Sequence, residues 1–118
     1  MRITKFLIVA IIAGLFSTNA IAQKDHLAVA DQAFEGQEYY KAITLLKKAY
    51  SKEKDKANKA EIIFKTAECY RFVNDSKQAE TWYRKALKIK YPENNVQLYY
   101  ANALKANGKF EDAIVEYE

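Results

Sequence analysis

The chain has 118 residues, half of them hydrophobic, and only one proline and three glycines. This composition favours a helical globular domain and excludes a disordered or collagen-like chain. A single cysteine excludes an intrachain disulfide, and the scattered glycines at positions 14, 36 and 108 exclude a glycine-rich phosphate-binding loop.

The first 22 residues have the pattern of a secretory signal peptide. A basic start with Arg2 and Lys5 precedes an apolar run, Phe6–Phe16, and the segment 20–22 (AIA) offers small side chains to a signal peptidase. This predicts cleavage after Ala22 and an exported protein of the periplasm or outer membrane. The alternative is an uncleaved membrane anchor, although the run is shorter than the about 20 residues that a spanning helix needs.

The charge outside this segment is nearly balanced. Of the 19 lysines and arginines, Arg2 and Lys5 lie in it, so the remaining chain has 17 basic and 15 acidic residues. A lysine-rich tract, Lys47–Lys59, is interrupted by Glu53 and Asp55, which is typical of a solvated face. We therefore expect no nucleic-acid partner, and membrane contact only through the transient signal peptide.

Helical periodicity predicts two helices before residue 60. The first spans Lys24–Glu35, and Gly36 is expected to end it in a left-handed conformation. The second begins at Tyr39 and reaches about Lys52, and it can extend further because the linker 53–58 contains no proline or glycine.

A helical hairpin is predicted for Ala60–Lys90. Its two apolar-periodic runs are joined by Asn74-Asp75-Ser76, in which Asn74 suits a left-handed helix end and Asp75 or Ser76 a helix cap. Two more helices follow, Val96–Ala106 and Phe110–Glu118, separated by an asparagine and a glycine.

These helices repeat. Ala42, Ala79 and Ala113 occupy matching places in the second helices, with spacings of 37 and 34 residues. A period near 34 with alternating small and large residues is typical of tetratricopeptide repeats. The predicted fold is an all-α helical-hairpin solenoid of about three repeats, at about 23–56, 60–92 and 94–118, with the last one truncated.

The final predicted helix stops after about two turns with an apolar face. A terminal repeat is normally polar on its outer side or covered by a further helix. This favours the interpretation that the chain is the N-terminal piece of a longer protein. A short frayed end is the alternative.

Several stretches resemble the N-terminal region of Bacteroidetes OmpA-family envelope proteins. They are AEIIFKTAECYR (60–71), AETWY (79–83), YP (91–92) and YYANALK (99–105). The resemblance implies tetratricopeptides followed by a β-propeller, a carboxypeptidase-regulatory-like domain and an OmpA-like peptidoglycan-binding domain, in a protein linked to type 9 secretion and gliding. Peptidoglycan would then be bound only through a C-terminal domain that these residues do not include.

In that family the first helix of each repeat lines a concave groove that binds a protein or peptide. The matching residues here are Leu27, Asp31, Phe34, Phe64, Glu68, Arg71, Phe72, Leu98, Asn102 and Lys105. The alternative for Phe64, Phe72 and Leu98 is that they belong to the core. Because Leu27, Phe64 and Leu98 stand where a carboxylate-gripping groove has lysine, the resemblance implies a mixed apolar and polar surface instead.

No catalytic pattern accompanies these repeats. His26 is the only histidine and has no carboxylate partner in the pattern, Cys69 is expected to be a small buried residue, and no Cys/His cluster suggests zinc. The sequence predicts a protein-interaction scaffold rather than an enzyme, with neither cofactor nor metal, that binds another envelope protein or peptide. The alternative is a stand-alone periplasmic adaptor or chaperone.

Overall fold

The structure, a computed structural model, describes residues 26–118, and they are all-α as predicted, without a strand. The predicted signal peptide, 1–22, lies outside the described residues. The helices are 26–35 (α1), Tyr39–Lys52 (α2), Lys56–Phe72 (α3), Ser76–Lys88 (α4), Val96–Ala106 (α5) and Phe110–Tyr117 (α6). From α2 onward, each helix packs chiefly against its neighbours in sequence, and tight turns pair the helices into three hairpins.

The tight turn inside each hairpin has the same geometry. Gln37, Asn74 and Gly108 are left-handed, with φ of 60°, 60° and 77°. In the second hairpin the amide of Asp75 donates to the carbonyl of Tyr70 at 2.9 Å, and the other two turns have the equivalent bond. This arrangement satisfies carbonyl groups at the helix end and fixes the reversal of the chain.

The left-handed conformation of Asn74 is confirmed, but the assignment of Gly36 as the left-handed residue is wrong. The amide of Gly36 still donates to the carbonyl of Gln32 at 2.9 Å, so the last helical turn is completed there. The reversal therefore falls one residue later, at Gln37.

The linker between the first two hairpins is shorter than the sequence suggested. α2 ends at Lys52, and α3 already begins at Lys56 rather than Ala60. The carboxylate of Glu53 accepts from the amides of residues 54 and 55 at 3.1 and 3.0 Å, while Asp55 caps α3 by accepting from the amide of Asn58. These bonds stop α2, and most of the extra residues lengthen α3.

Buried alanines lie at equivalent places in the three hairpins. In the first helices they are Ala30, Ala67 and Ala101, and in the second helices Ala42, Ala79 and Ala113, all at most 2% exposed. Small side chains let helix axes approach, and larger buried residues fill the space between them. Cys69 is buried among them as predicted, and burial, with the nearby Glu68 charge, raises the pKa of its thiol to about 12.

The third hairpin leaves its equivalent apolar residues open. Ile114 and Tyr117 are 57% and 46% exposed, whereas Ile43 and Leu46 at the matching places of α2 are 8% and 0% exposed. The difference arises because α3 covers α2, and no described helix covers that side of α6.

The left-handed turns make a stability prediction. Replacing Gln37 with glycine should raise the free energy of unfolding by about 0.5–1 kcal/mol, because glycine adopts positive φ without a Cβ penalty. Gly108→Ala should lower it by about 1 kcal/mol, since the space around that site is open and only the backbone strain counts. Urea unfolding followed by circular dichroism measures both changes. A loss of stability in the Gln37 variant would contradict the turn geometry.

Candidate functional site

A row of stacked side chains crosses the three hairpins. Phe34 meets Tyr39 edge to face at 6.2 Å, and Tyr39 stacks on Phe72 at 4.7 Å between ring centroids. The guanidinium of Arg71 lies over the rings of both Phe72 and Tyr99, at 4.4 and 4.5 Å. These five residues, called here the aromatic stack, join α1, α2, α3 and α5 into one continuous surface feature.

A buried carboxylate holds the guanidinium in this stack. Glu68, 8% exposed, accepts from Nη2 and Nε of Arg71 at 2.7 and 3.2 Å and from the hydroxyl of Tyr83. The hydrogen bond and charge of Glu68 raise the pKa of Arg71, and burial together with Glu68 raises the pKa of Tyr83. Arg71 is therefore a fixed cation, Tyr83 stays neutral, and Glu68 is engaged inside the protein rather than free in the groove.

A cleft of about 270 Å³ opens beside Arg71. Its lining residues come from the end of α3, the start of α4 and α5: Arg71, Asn74, Ser76, Ala79, Tyr83, Tyr99, Asn102, Ala103 and Ala106. The cleft offers ring faces, methyl groups and side-chain amides. Such walls suit an extended peptide with an apolar side chain.

The remaining predicted groove residues have separate surroundings. Asp31 pairs with Lys65 of α3 at 2.8 Å, which ties α1 to α3. Phe64 stacks on Tyr91 at 4.6 Å, and Leu27 and Phe34 pack half-buried against the core. The remaining two, Leu98 and Lys105, are exposed on α5.

The structure thus brings together Phe34, Phe72, Arg71, Glu68 and Asn102 around the stack and the cleft. Sequence reasoning did not select Tyr39, Tyr83 and Tyr99 for this surface. A signal for Tyr99 existed, because residue 65 lies 34 positions earlier and also reaches back to the preceding first helix.

A second buried carboxylate fastens the third hairpin to the second. Glu80 of α4, 4% exposed, accepts from Arg84 at 2.5 Å, Lys109 at 2.6 Å and the side-chain amide of Asn107 at 2.7 Å. Ser76 donates to Asn107 Oδ1 at 2.6 Å. We call these five residues the Glu80 clasp, and it fixes the turn between α5 and α6 against the start of α4.

Burial and pairing act in opposite directions on Glu80. Burial alone would raise the pKa of its carboxyl, but the hydrogen bonds from Lys109 and Asn107 and the charges of Lys109 and Arg84 outweigh it. The pKa is lowered as a result, and the clasp contains an ionised carboxylate at neutral pH.

Within residues 26–118, no group of acidic, histidine or cysteine side chains is placed to hold a metal ion. None of the helices in this part of the chain is both long and apolar enough to cross a membrane. Comparison of the chain with protein-family models and with curated protein sequences finds no match.

The arginine–glutamate pair predicts a coupled loss of stability. Arg71→Ala leaves a buried carboxylate with one partner, so the free energy of unfolding should fall by about 2 kcal/mol, less than for a fully buried pair because Arg71 is partly solvated. Glu68→Ala in the same chain should recover part of that loss. Urea unfolding of the single and double variants measures the coupling, with Lys105→Ala as a control expected within about 0.5 kcal/mol of the wild type. Additive losses would contradict the pairing.

The Glu80 clasp predicts a pH dependence. Because the folded pKa of Glu80 is lowered, its stabilisation is present above the unfolded value, about 4.3, and is lost as the pH falls through the folded value. Glu80→Gln should lower the free energy of unfolding by about 2 kcal/mol at pH 7, and the deficit should shrink below about pH 4. Thermal unfolding between pH 7 and 3 measures this, and a constant deficit would rule out the ionised clasp.

Proposed function

We propose that residues 23–118 form a tetratricopeptide-type solenoid that serves as a protein-interaction scaffold in a bacterial cell envelope. Support comes from three hairpins whose left-handed turns are 37 and 34 residues apart, which matches the period of such repeats. Further support comes from the buried alanines at the same place in every hairpin.

The observation that carries the binding function is the aromatic stack beside the open cleft. Phe72 is 43% exposed although it is packed between Tyr39 and Arg71, so a large ring face is held rigid and accessible. Rigid aromatic groups give contact area at a small cost in conformational entropy. An apolar side chain of a partner would enter the cleft, and Asn74 and Asn102 would meet its backbone.

The chemistry of the partner follows from what this surface lacks. Glu68 is occupied by Arg71 and Tyr83, and the positions of Leu27, Phe64 and Leu98 carry no lysine. A carboxylate-gripping groove is thereby disfavoured. A segment with aliphatic or aromatic side chains from another envelope protein suits the surface better.

The larger identity rests on the sequence resemblance. In this proposal the chain is exported with cleavage after Ala22, and it is the N-terminal part of an OmpA-family protein of the gliding or type 9 secretion type. Peptidoglycan would be bound through a separate C-terminal domain. The second candidate is a stand-alone periplasmic adaptor. The intact mass of the native protein from fractionated envelopes separates the two.

Site-specific photo-crosslinking tests the cleft. A photoreactive phenylalanine analogue at Asn102, in the cleft, should give discrete crosslinked products in intact envelopes, and the same analogue at Thr81, exposed on the outer side of α4, should not. Adding Ala106→Trp should reduce the Asn102 products by about tenfold, because the indole fills the cleft.

Thr81→Trp supplies the matched control for that substitution, since it adds the same bulk on the opposite side of α4. Circular dichroism should show unchanged helix content in both tryptophan variants. Identical crosslinking from positions 102 and 81, or crosslinking that Ala106→Trp leaves intact, would refute the cleft as the binding site.

A further inference from the structure

The outer faces of α2 and α4 are strongly basic. α2 contains no acidic residue, and the single acidic residue of α4, Glu80, is buried in its clasp. The basic residues of these helices are Lys41, Lys47, Lys48, Lys52, Lys77, Arg84, Lys85 and Lys88, and we call them the basic ridge.

Most of the basic ridge has no counter-charge. Among the described residues, only Lys41 and Arg84 of the ridge lie within 4 Å of a carboxylate, that of Glu38 at 3.4 Å and that of Glu80 at 2.5 Å. The other six lysines have no ion pair within that part of the chain. Positive charge is therefore concentrated on one side of the first two hairpins.

The ridge lies away from the cleft. On α4, helical periodicity places Lys77 and Lys88 about half a turn from Ala79 and Tyr83, which line the cleft. The third hairpin limits the ridge, because α6 carries Glu111, Asp112 and Glu116 and no basic residue. The two faces of the molecule are thus available to different partners.

We propose that the basic ridge docks on a membrane surface that carries anionic lipid headgroups. Lysine is a flexible, strongly hydrated point charge, which suits attraction to a fluid layer of phosphates, and all but one of the ridge cations are lysines. Nucleic-acid surfaces instead favour arginine forks and stacked aromatic rings.

Exposed apolar groups lie beside these charges. Tyr40, in the first turn of α2, is 75% exposed and shares a helix face with Lys47, while Ile89, just after α4, is 44% exposed. Tyrosine and aliphatic side chains next to lysines are a combination that lies well at the boundary between headgroups and acyl chains. This membrane contact goes beyond the solvated face that the sequence alone indicated.

Vesicle sedimentation of the full chain tests the proposal. Phosphatidylcholine vesicles with and without phosphatidylglycerol are compared, so that any binding through the apolar N-terminal run contributes equally to both. The chain should bind the anionic vesicles more tightly. Each ridge lysine near such a surface contributes on the order of a fivefold factor, and the preference should fall as salt shortens the Debye length.

Matched triple variants locate the binding face. Lys47→Gln, Lys77→Gln and Lys88→Gln together remove three exposed ridge charges and should weaken anionic-vesicle binding by about tenfold or more. The control, Lys54→Gln, Lys56→Gln and Lys105→Gln together, removes the same charge from exposed sites outside the ridge and should change binding less than about threefold.

The outcomes are decisive in either direction. Equal losses in the two triple variants would reduce the effect to net charge and overturn the ridge as a docking face. Absence of preference for phosphatidylglycerol would overturn the proposal outright. Tighter binding to duplex DNA or RNA than to anionic vesicles, measured at the same salt concentration and lost in the ridge variant, would reassign the ridge to nucleic acid.

Discussion

Close contact between helices at alanine sets the geometry on which the other interactions depend. The distance between packed helices follows the size of the side chains at the contact, and Ala42, Ala67 and Ala79 bring neighbouring backbones near each other. Arg71 can reach Glu68, Tyr83 and the ring of Tyr99 together only because α3, α4 and α5 lie this close. A larger residue at one of these alanines would displace the stack and cleft along with the helices.

The helix boundaries were the most predictable feature, because periodicity and turn residues act locally. α2 and α5 have the predicted ends, and the reversal at Asn74 follows from its tolerance of positive φ. Errors arose where competing hydrogen bonds decide the outcome. Gly36 remains in the helix through its amide bond, and Glu53 stops α2 with a side chain rather than a glycine.

The candidate site was predictable only in part. Repeat equivalence selected Arg71, Phe72 and Asn102, since it reports which side of a helix a residue occupies. It did not reveal that Glu68 and Glu80 are buried, because a carboxylate is tolerated inside only with partners whose positions depend on how the hairpins pack. A repeat comparison gives a hint, as Glu80 stands where α2 and α6 carry isoleucine, but it does not identify the three donors.

The Glu80 clasp also affects the chemical lifetime of the protein. Asn107 is followed by Gly108, a dipeptide in which the glycine amide nitrogen attacks the asparagine side chain readily when both are free. Here that amide donates to Lys105 at 3.0 Å, and the asparagine side chain is bound to Ser76 and Glu80. Deamidation therefore requires the third hairpin to open, so its rate at Asn107 reports how often that hairpin detaches.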